Sequence, residues 1–269
     1  MVQAGRFGRK AGRGYYEYEQ GKPHREDDPE QPSMREQDAV IVIEGDSQVA
    51  EELWDMAVNT GYDPRRMSEL GNDPATLYID AQIGRLVEDN VAPPAGASVC
   101  VLCAEGSLSE LGLMFDGAIG FHILPPLSET GVVELTRSGS QDHVASQRVE
   151  HFFRTLGKHV EWVDDTPGLV LGRIVCQLVN EACFAIQERV GSAGDIDTAL
   201  RLGFNYPRGP LEWADLIGVE HVVATLDALY EELHEERYRA APLLRRMIAE
   251  GRLGRWAGRG FFTYPEDEY

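Results

Sequence analysis

A stretch near the start of this chain returns near its close. Residues 2–18 read VQAGRFGRKAGRGYYEY and residues 248–264 read IAEGRLGRWAGRGFFTY, at a constant offset of 246. Nine positions are identical, among them Gly5/Gly251, Arg6/Arg252, Gly8/Gly254, Arg9/Arg255 and Gly14/Gly260. Val2/Ile248, Phe7/Leu253, Tyr15/Phe261 and Tyr16/Phe262 keep their character. The pattern reads as a helix end, glycines that permit positive φ, then an aromatic, strand-like tail. Its arginines read as a solvated basic rim. A period of 246 is the size of a domain, so the expectation is two copies of one unit. On that reading residues 1–20 are the tail of a preceding helical unit, and the chain is the C-terminal half of a tandem protein.

Between the copies the sequence changes character twice. Residues 19–38 hold three prolines, ten charges and Met34 as their one aliphatic side chain, so 21–38 is expected to be a solvated linker. From Ala39 to Ser138, strand-like pieces (AVIVIEGDS, Thr76–Asp80, Ser98–Ala104, Ala118–Leu124, Val132–Thr136) alternate with helical pattern at Gln48–Thr60 and Ile83–Asn90. That alternation predicts an α/β domain with a mainly parallel sheet over 39–138. From 139 to 269 the pattern is helical throughout. Asp142–Leu156 is amphipathic, and a long apolar helix opens at Thr166-Pro-Gly and runs to about Arg189. Ser192 with Asp195 forms a capping box. A helix apolar on most faces must be covered, which points to a bundle with its central helix in an interface.

Composition excludes several partners. At −20, the formal charge has the wrong sign for nucleic acid or an anionic membrane surface. No apolar run approaches the roughly 18 residues of a membrane span. Four cysteines make no disulfide framework and suit a reducing cytoplasm. Cys100 and Cys103 form a C-x-x-C, but three-residue spacing on a strand sends the thiols to opposite faces. Without further Cys or His nearby, no metal site is expected.

Four stretches carry a resemblance: GFHILPPLSETGVVELTRS (120–138), LGKHVEWVDDTPGLVLGRIVCQLVNEA (156–182), SAGDIDTALRLGFNYPRGPLEWADLIG (192–218) and the closing GRLGRWAGRGFFTY. Together they resemble the L-3-hydroxyacyl-CoA dehydrogenases over nearly all of 39–264, specifically in the helical half and faintly before Gly120. The resemblance implies a degenerate Rossmann-type domain followed by an all-α helical dimerisation domain. It implies NAD as the cofactor, an acyl-CoA substrate, and a homodimer or docking on an intact dehydrogenase unit. It also implies His122 as general base on the 3-hydroxyl, with Glu134, twelve residues later, orienting and charging the imidazole. Ser107 and Arg173 fall at or beside positions that contact substrate.

This sequence departs from the family pattern where the cofactor is bound. A dinucleotide turn needs G-x-G-x-x-G so that backbone can approach the pyrophosphate. Here the turn reads Glu44-Gly45-Asp46-Ser47-Gln48-Val49, with one glycine and two carboxylates. A like-charge contact at about 4 Å costs about 4 kcal/mol at an effective dielectric of about 20, close to a thousandfold in affinity. No NAD is therefore expected on this chain. The family's asparagine before Arg173 is Gly172, and the one three residues after His122 is Pro125. Glu212 and Asp215 read as first-turn carboxylates at a helix N-terminus rather than acid–base groups. Three functions follow: a non-catalytic half, an acyl-CoA-binding module, or an active dehydrogenase with an unusual cofactor turn.

Overall fold

The computed structural model describes residues 8–19, 22–23, 39–83, 92–111, 117–137 and 143–265. They belong to two units, 1–31 and 32–269. In the first, a 3-10 turn at Arg9–Ala11 is followed by β1 (Tyr18–Glu19), which pairs antiparallel with β2 (Lys22–Pro23). Lys22 and Pro23 of the expected linker at 21–38 are thus paired in a strand. Its residues from 24 onward, and residues 1–7 of the expected tail, lie outside the described residues.

The second unit is built on one six-stranded sheet. Its strands are β3 (Ile41–Glu44), β4 (Leu77–Asp80), β5 (Ser98–Leu102), β6 (Ile119–His122), β7 (Val132–Arg137) and β8 (His159–Trp162). They lie side by side in chain order. All neighbours are parallel except β6 and β7. Helices cover both faces, which is why the inner strands read as unbroken apolar runs. Ile41, Ile43, Leu77, Ile79, Cys100 and Leu102 pack in one layer with Leu53 of α1 (Gln48–Asn59) and Val149 and Phe153 of α4 (His143–Thr155). Val42, Tyr78, Val101 and Cys103 pack on the other, with Leu70 of α2 (Met67–Leu70) and Leu108 of α3 (Leu108–Leu111). Cys100 and Cys103 thus face opposite ways, as strand alternation requires. All four cysteines are buried and none forms a disulfide, and burial pushes the Cys176 and Cys183 thiols up to about 12.

The mainly parallel sheet followed by helices is as expected; one feature corrects the sequence reading and another adds to it. Residues after 138 are not helical throughout, because β8 adds to β7 and α4 packs on the sheet. The division expected at 138/139 therefore cuts through the sheet layer. β8 was missed because His159 and Glu161 give it a polar face, with only Val160 buried. The second feature is the strand order. In the dinucleotide fold the first strand is central, with two further strands outside it. Here β3 has beside it, on that side, a single parallel bridge between Val42 and Arg65. Arg65 N donates to Ile41 O (2.9 Å) and Ile43 N to Arg65 O (3.1 Å). No other strand flanks β3 there among the described residues. The helix expected at Ile83–Asn90 lies, from 84 on, outside the described residues.

The remaining helices are α5 (Leu171–Gln187), α6 (Ala193–Phe204), α7 (Pro210–Ile217), α8 (Val219–Leu233) and α9 (Pro242–Ala249). Val175, Cys176, Val179 and Cys183 of α5 form its core with Leu211, Val222, Leu226, Leu244 and Met247. The chain enters α5 through Gly168 and Leu169, both at positive φ (68° and 46°). The Ser192–Asp195 capping box is present. Within this apolar cluster Asn180 is fully buried, and it holds the chain before α9: Nδ2 donates to Arg239 O (3.0 Å) and Oδ1 accepts from Ala241 N (2.8 Å). The apolar surface of α5 is not covered all round: Val170, just before it, is 43% exposed and Ile174 is 54% exposed.

Candidate functional site

The antiparallel β6–β7 pairing sets His122 directly opposite Glu134. That register accounts for the twelve-residue spacing, since residues paired across two strands face the same side. Both are buried, at 0% and 5% exposure. They do not hydrogen-bond to each other. The Glu134 carboxylate accepts from Val170 N (3.1 Å) and Leu171 N (2.9 Å), capping the start of α5. Burial raises its pKa, opposed by those two backbone bonds.

His122 has a different partner. Its Nε2 lies 3.0 Å from Nε2 of His221, in the first turn of α8, with the rings edge-to-face at 89°. His122 Nδ1 is buried without a hydrogen-bond partner. A Cβ added at Gly172, where the family places asparagine, would come within 2.5 Å of the His122 ring. Burial and then the neighbouring imidazole lower the His122 pKa well below 6.5, and burial lowers that of His221 to about 4. The pair is neutral near pH 7, so one Nε2 carries the proton and the other accepts it. His221, 99 residues away, was invisible to sequence reasoning. A lone histidine in the first turn of an apolar helix carries no motif.

The turn after β3 is closed by its own side chains. Gly45 sits at φ 120°, and a Cβ there would meet the Ala81 carbonyl at 2.8 Å. Ser47 caps α1: its Oγ donates to Ala81 O and accepts from Ala50 N at 3.2 Å. Arg66 Nη1 donates to Ile43 O (2.8 Å) and Gly45 O (3.0 Å). Glu44, expected to face a pyrophosphate, instead accepts from Met67 N at 2.5 Å and caps α2. Asp46 alone of the two carboxylates faces a cavity, of about 480 Å³, together with Gln48, Ile83, Glu220, His221 and Trp256.

Ser107 and Arg173 have partners other than His122. Ser107 is buried, and its carbonyl accepts from Glu110 N (3.1 Å) and Leu111 N (2.9 Å) at the start of α3. Asp165 caps the same helix through Leu108 N (2.7 Å) and Ser109 N (2.8 Å). Arg173 donates to the Tyr238 hydroxyl and lies 5.3 Å from that ring's centre. It shares a cavity of about 940 Å³ with Arg137, Trp162, Asp164 and Ile174, and Arg137 stacks on Trp162 at 4.8 Å.

Two carboxylates of the α7 region have structural duties. Asp197 accepts from Leu211 N and Glu212 N (both 2.9 Å) and so supplies the cap that Gly209 cannot. Asp215 corrects the sequence reading: it lies near the end of α7, fully buried, and binds the closing loop. Its oxygens accept from Phe261 N (2.8 Å), Phe262 N (2.9 Å) and the Tyr264 hydroxyl (3.0 Å). Glu212 pairs with Arg208 at 3.4 Å. Among the described residues no group of three His, Cys, Asp or Glu could hold a metal ion, and no helix is long and apolar enough to cross a membrane.

Comparison with known proteins agrees with this architecture. Residues 168–264 match the family described as 3-hydroxyacyl-CoA dehydrogenase, C-terminal domain. The 3-hydroxybutyryl-CoA dehydrogenase of Bradyrhizobium diazoefficiens is 37% identical over 146 residues, 54% of this chain and 50% of that protein. A probable 3-hydroxybutyryl-CoA dehydrogenase of Deinococcus radiodurans is 33% identical over 183 residues, 68% of this chain and 65% of the other. The chain thus spans about half to two thirds of the length of these relatives. Among solved structures, (S)-3-hydroxybutyryl-CoA dehydrogenase from Ralstonia eutropha superposes with a TM-score of 0.61 at 26% identity, over 81% of this chain and 85% of that one. Mycobacterium tuberculosis FadB2 shares the fold, with a TM-score of 0.70 at 21% identity over 85% and 100% of the two chains.

Proposed function

We propose, from the premise that this chain belongs to the 3-hydroxyacyl-CoA dehydrogenase family, that it is a member which keeps the scaffold and does not turn over. The observation that carries this reading is the partner of His122. A base acting on a 3-hydroxyl must present a ring nitrogen to it. Here Nε2 is occupied by His221, Nδ1 is sealed in the interior, and the orienting carboxylate is held by α5.

The residues at the nucleotide end support the same reading, because they do not fit NAD. The Ala50 amide at the α1 N-terminus is spent on Ser47, Asp46 supplies a like charge, and among the described residues only the Arg65 bridge stands where the nucleotide fold has its outer strands. A dinucleotide needs free amides at that helix start and a crevice where strand order reverses.

A second reading, an acyl-CoA-binding module, is favoured by the cavity holding Arg137, Trp162 and Arg173. Guanidinium groups and an indole are the chemistry that phosphates and a purine would use. The partly exposed apolar positions Val170 and Ile174 also support self-association or docking on an intact dehydrogenase unit.

Titration with NADH, followed by cofactor fluorescence with and without acetoacetyl-CoA, tests both readings. The expected titration is flat. Saturable NADH binding with oxidation would overturn the non-catalytic reading. Saturable acetoacetyl-CoA binding with no NADH effect would select the binding module.

A further inference from the structure

The two terminal copies share a conformation as well as a sequence. In each, a 3-10 turn, Arg9–Ala11 or Arg255–Ala257, lies between glycines at positive φ: 83° and 69° at Gly8 and Gly12, 128° and 71° at Gly254 and Gly258. Five backbone hydrogen bonds recur at the offset of 246. Gly8 N binds Arg13 O as Gly254 N binds Arg259 O, Ala11 N binds Gly8 O as Ala257 N binds Gly254 O, and Gly12 N binds Arg9 O as Gly258 N binds Arg255 O. Gly14 N to Tyr16 O and Gly260 N to Phe262 O are both 2.8 Å, and Tyr18 N to Gly12 O and Tyr264 N to Gly258 O are both 2.9 Å.

The copies differ in what they hold. The closing copy gives the Phe261 and Phe262 amides and the Tyr264 hydroxyl to Asp215, and both phenylalanines pack on the helical core. Gly260 lies so close to that carboxylate that a Cβ would run into it. In the opening copy the three counterpart groups, the Tyr15 and Tyr16 amides and the Tyr18 hydroxyl, have no carboxylate acceptor among the described residues. Tyr15 and Tyr16 are 89% and 58% exposed.

We propose that residues 8–18 are a docking segment for a second helical domain of this family, one that presents an aspartate in the place of Asp215 and lacks a closing segment of its own. The segment brings the matching chemistry already folded: two adjacent amides and a phenol for one carboxylate, an aromatic pair for the apolar surface beside it, and Gly14 at the counterpart of Gly260, where an added Cβ would meet the segment's own Gly8 Cα at 2.7 Å. Charge-assisted bonds of this kind are the stronger class, and a preformed turn loses little entropy on docking.

Two experiments on the full chain test this. Four substitutions, W256K, F261Y, F262Y and T263E, convert residues 254–264 into residues 8–18. If the segments are interchangeable, this variant melts within about 3 °C of the parent, and adding Asp215→Asn lowers both by about 5 °C or more. A variant that melts as low as Asp215→Asn alone, and is insensitive to it, overturns the proposal. In the second arm Gly260→Ala displaces the closing segment and leaves Asp215 open. Labelled parent chain should then co-sediment with the Gly260→Ala chain at least tenfold more than with unaltered chain. That gain should vanish with Asp215→Asn in the acceptor. A gain indifferent to that change, or none from a folded Gly260→Ala chain, also overturns it. Should Gly260→Ala fail to fold, the first arm decides alone.

Discussion

The sheet layer and the helical layer of this chain are stabilised by different means. The sheet rests on apolar side chains that alternate between two covered faces, and any residue of similar volume and shape can fill such a place. The helical layer has an apolar core of its own, and to it three buried polar side chains fasten backbone from other segments, as clasps. Asn180 fastens the chain before α9, Asp197 the start of α7, and Asp215 the closing loop. Each fixes polar atoms in place and demands backbone partners at set positions, the two aspartates as acceptors and Asn180 as both donor and acceptor. The aspartates also demand a glycine, at 209 and 260. Among the described residues the sheet has no strand outside β3 beyond the Arg65 bridge, and it still packs. A clasp cannot be shed in part, because a buried donor or acceptor left unpaired costs about 1–3 kcal/mol.

The sharpest way to break this comparison is at Gly209, whose added Cβ would collide with Asp197 while that carboxylate is tied to two amides. Gly209→Ala is expected to cost about 4 kcal/mol, read by denaturant unfolding, in the range of the severe single substitutions. A loss below about 1 kcal/mol would mean the clasp yields easily and the contrast is wrong.

A somewhat smaller effect comes from acid. Unfolded imidazoles titrate near 6.5, whereas the folded pair resists protonation, His221 down to about 4. Below about pH 6.5 the unfolded chain takes up protons that the folded chain refuses. The stability is therefore complete above that value and falls as pH drops towards about 4, by about 3 kcal/mol for His221. Melting curves of the parent and of His221→Gln between those limits check it. Curves that run parallel would refute the buried neutral pair.

At the small end, Ile43→Val in β3 is expected to cost about 1 kcal/mol, and it should leave the rest of the fold in place. A cost matching Gly209→Ala would show that the sheet is as exacting as the bundle.

The same contrast explains what could be read in advance. The stretch 209–218 and the closing GRLGRWAGRGFFTY were legible because the clasps that use them need particular residues at particular spacings. The strands were legible as elements, since runs such as Ile41–Ile43 and Val99–Leu102 are buried on both faces. Their order was not, because no residue announces a missing neighbour and the remnant strand is Arg65 alone. β8 escaped through its polar face. At the site, the resemblance gave the His122–Glu134 pair, and hairpin register explains its spacing. The hydrogen bonds went elsewhere: Glu134 to amides 36 and 37 residues on, His122 to a ring on α8. Contacts at such separations are set by how helices dock on the sheet, which local pattern does not encode.

The order of the sheet has one further consequence, for how the chain acquires it. In a doubly wound sheet the first strand is central, and the chain must later return past it to build the other wing. From β3 to β8 each strand here pairs with the one made just before it. During synthesis, growth can proceed from one edge, each new strand laid on a template already present, with no early strand waiting for a late partner. Pairings that close short stretches of chain form faster than distant ones. With only the Arg65 bridge beyond β3 among the described residues, this sheet can be built from its end rather than from its middle.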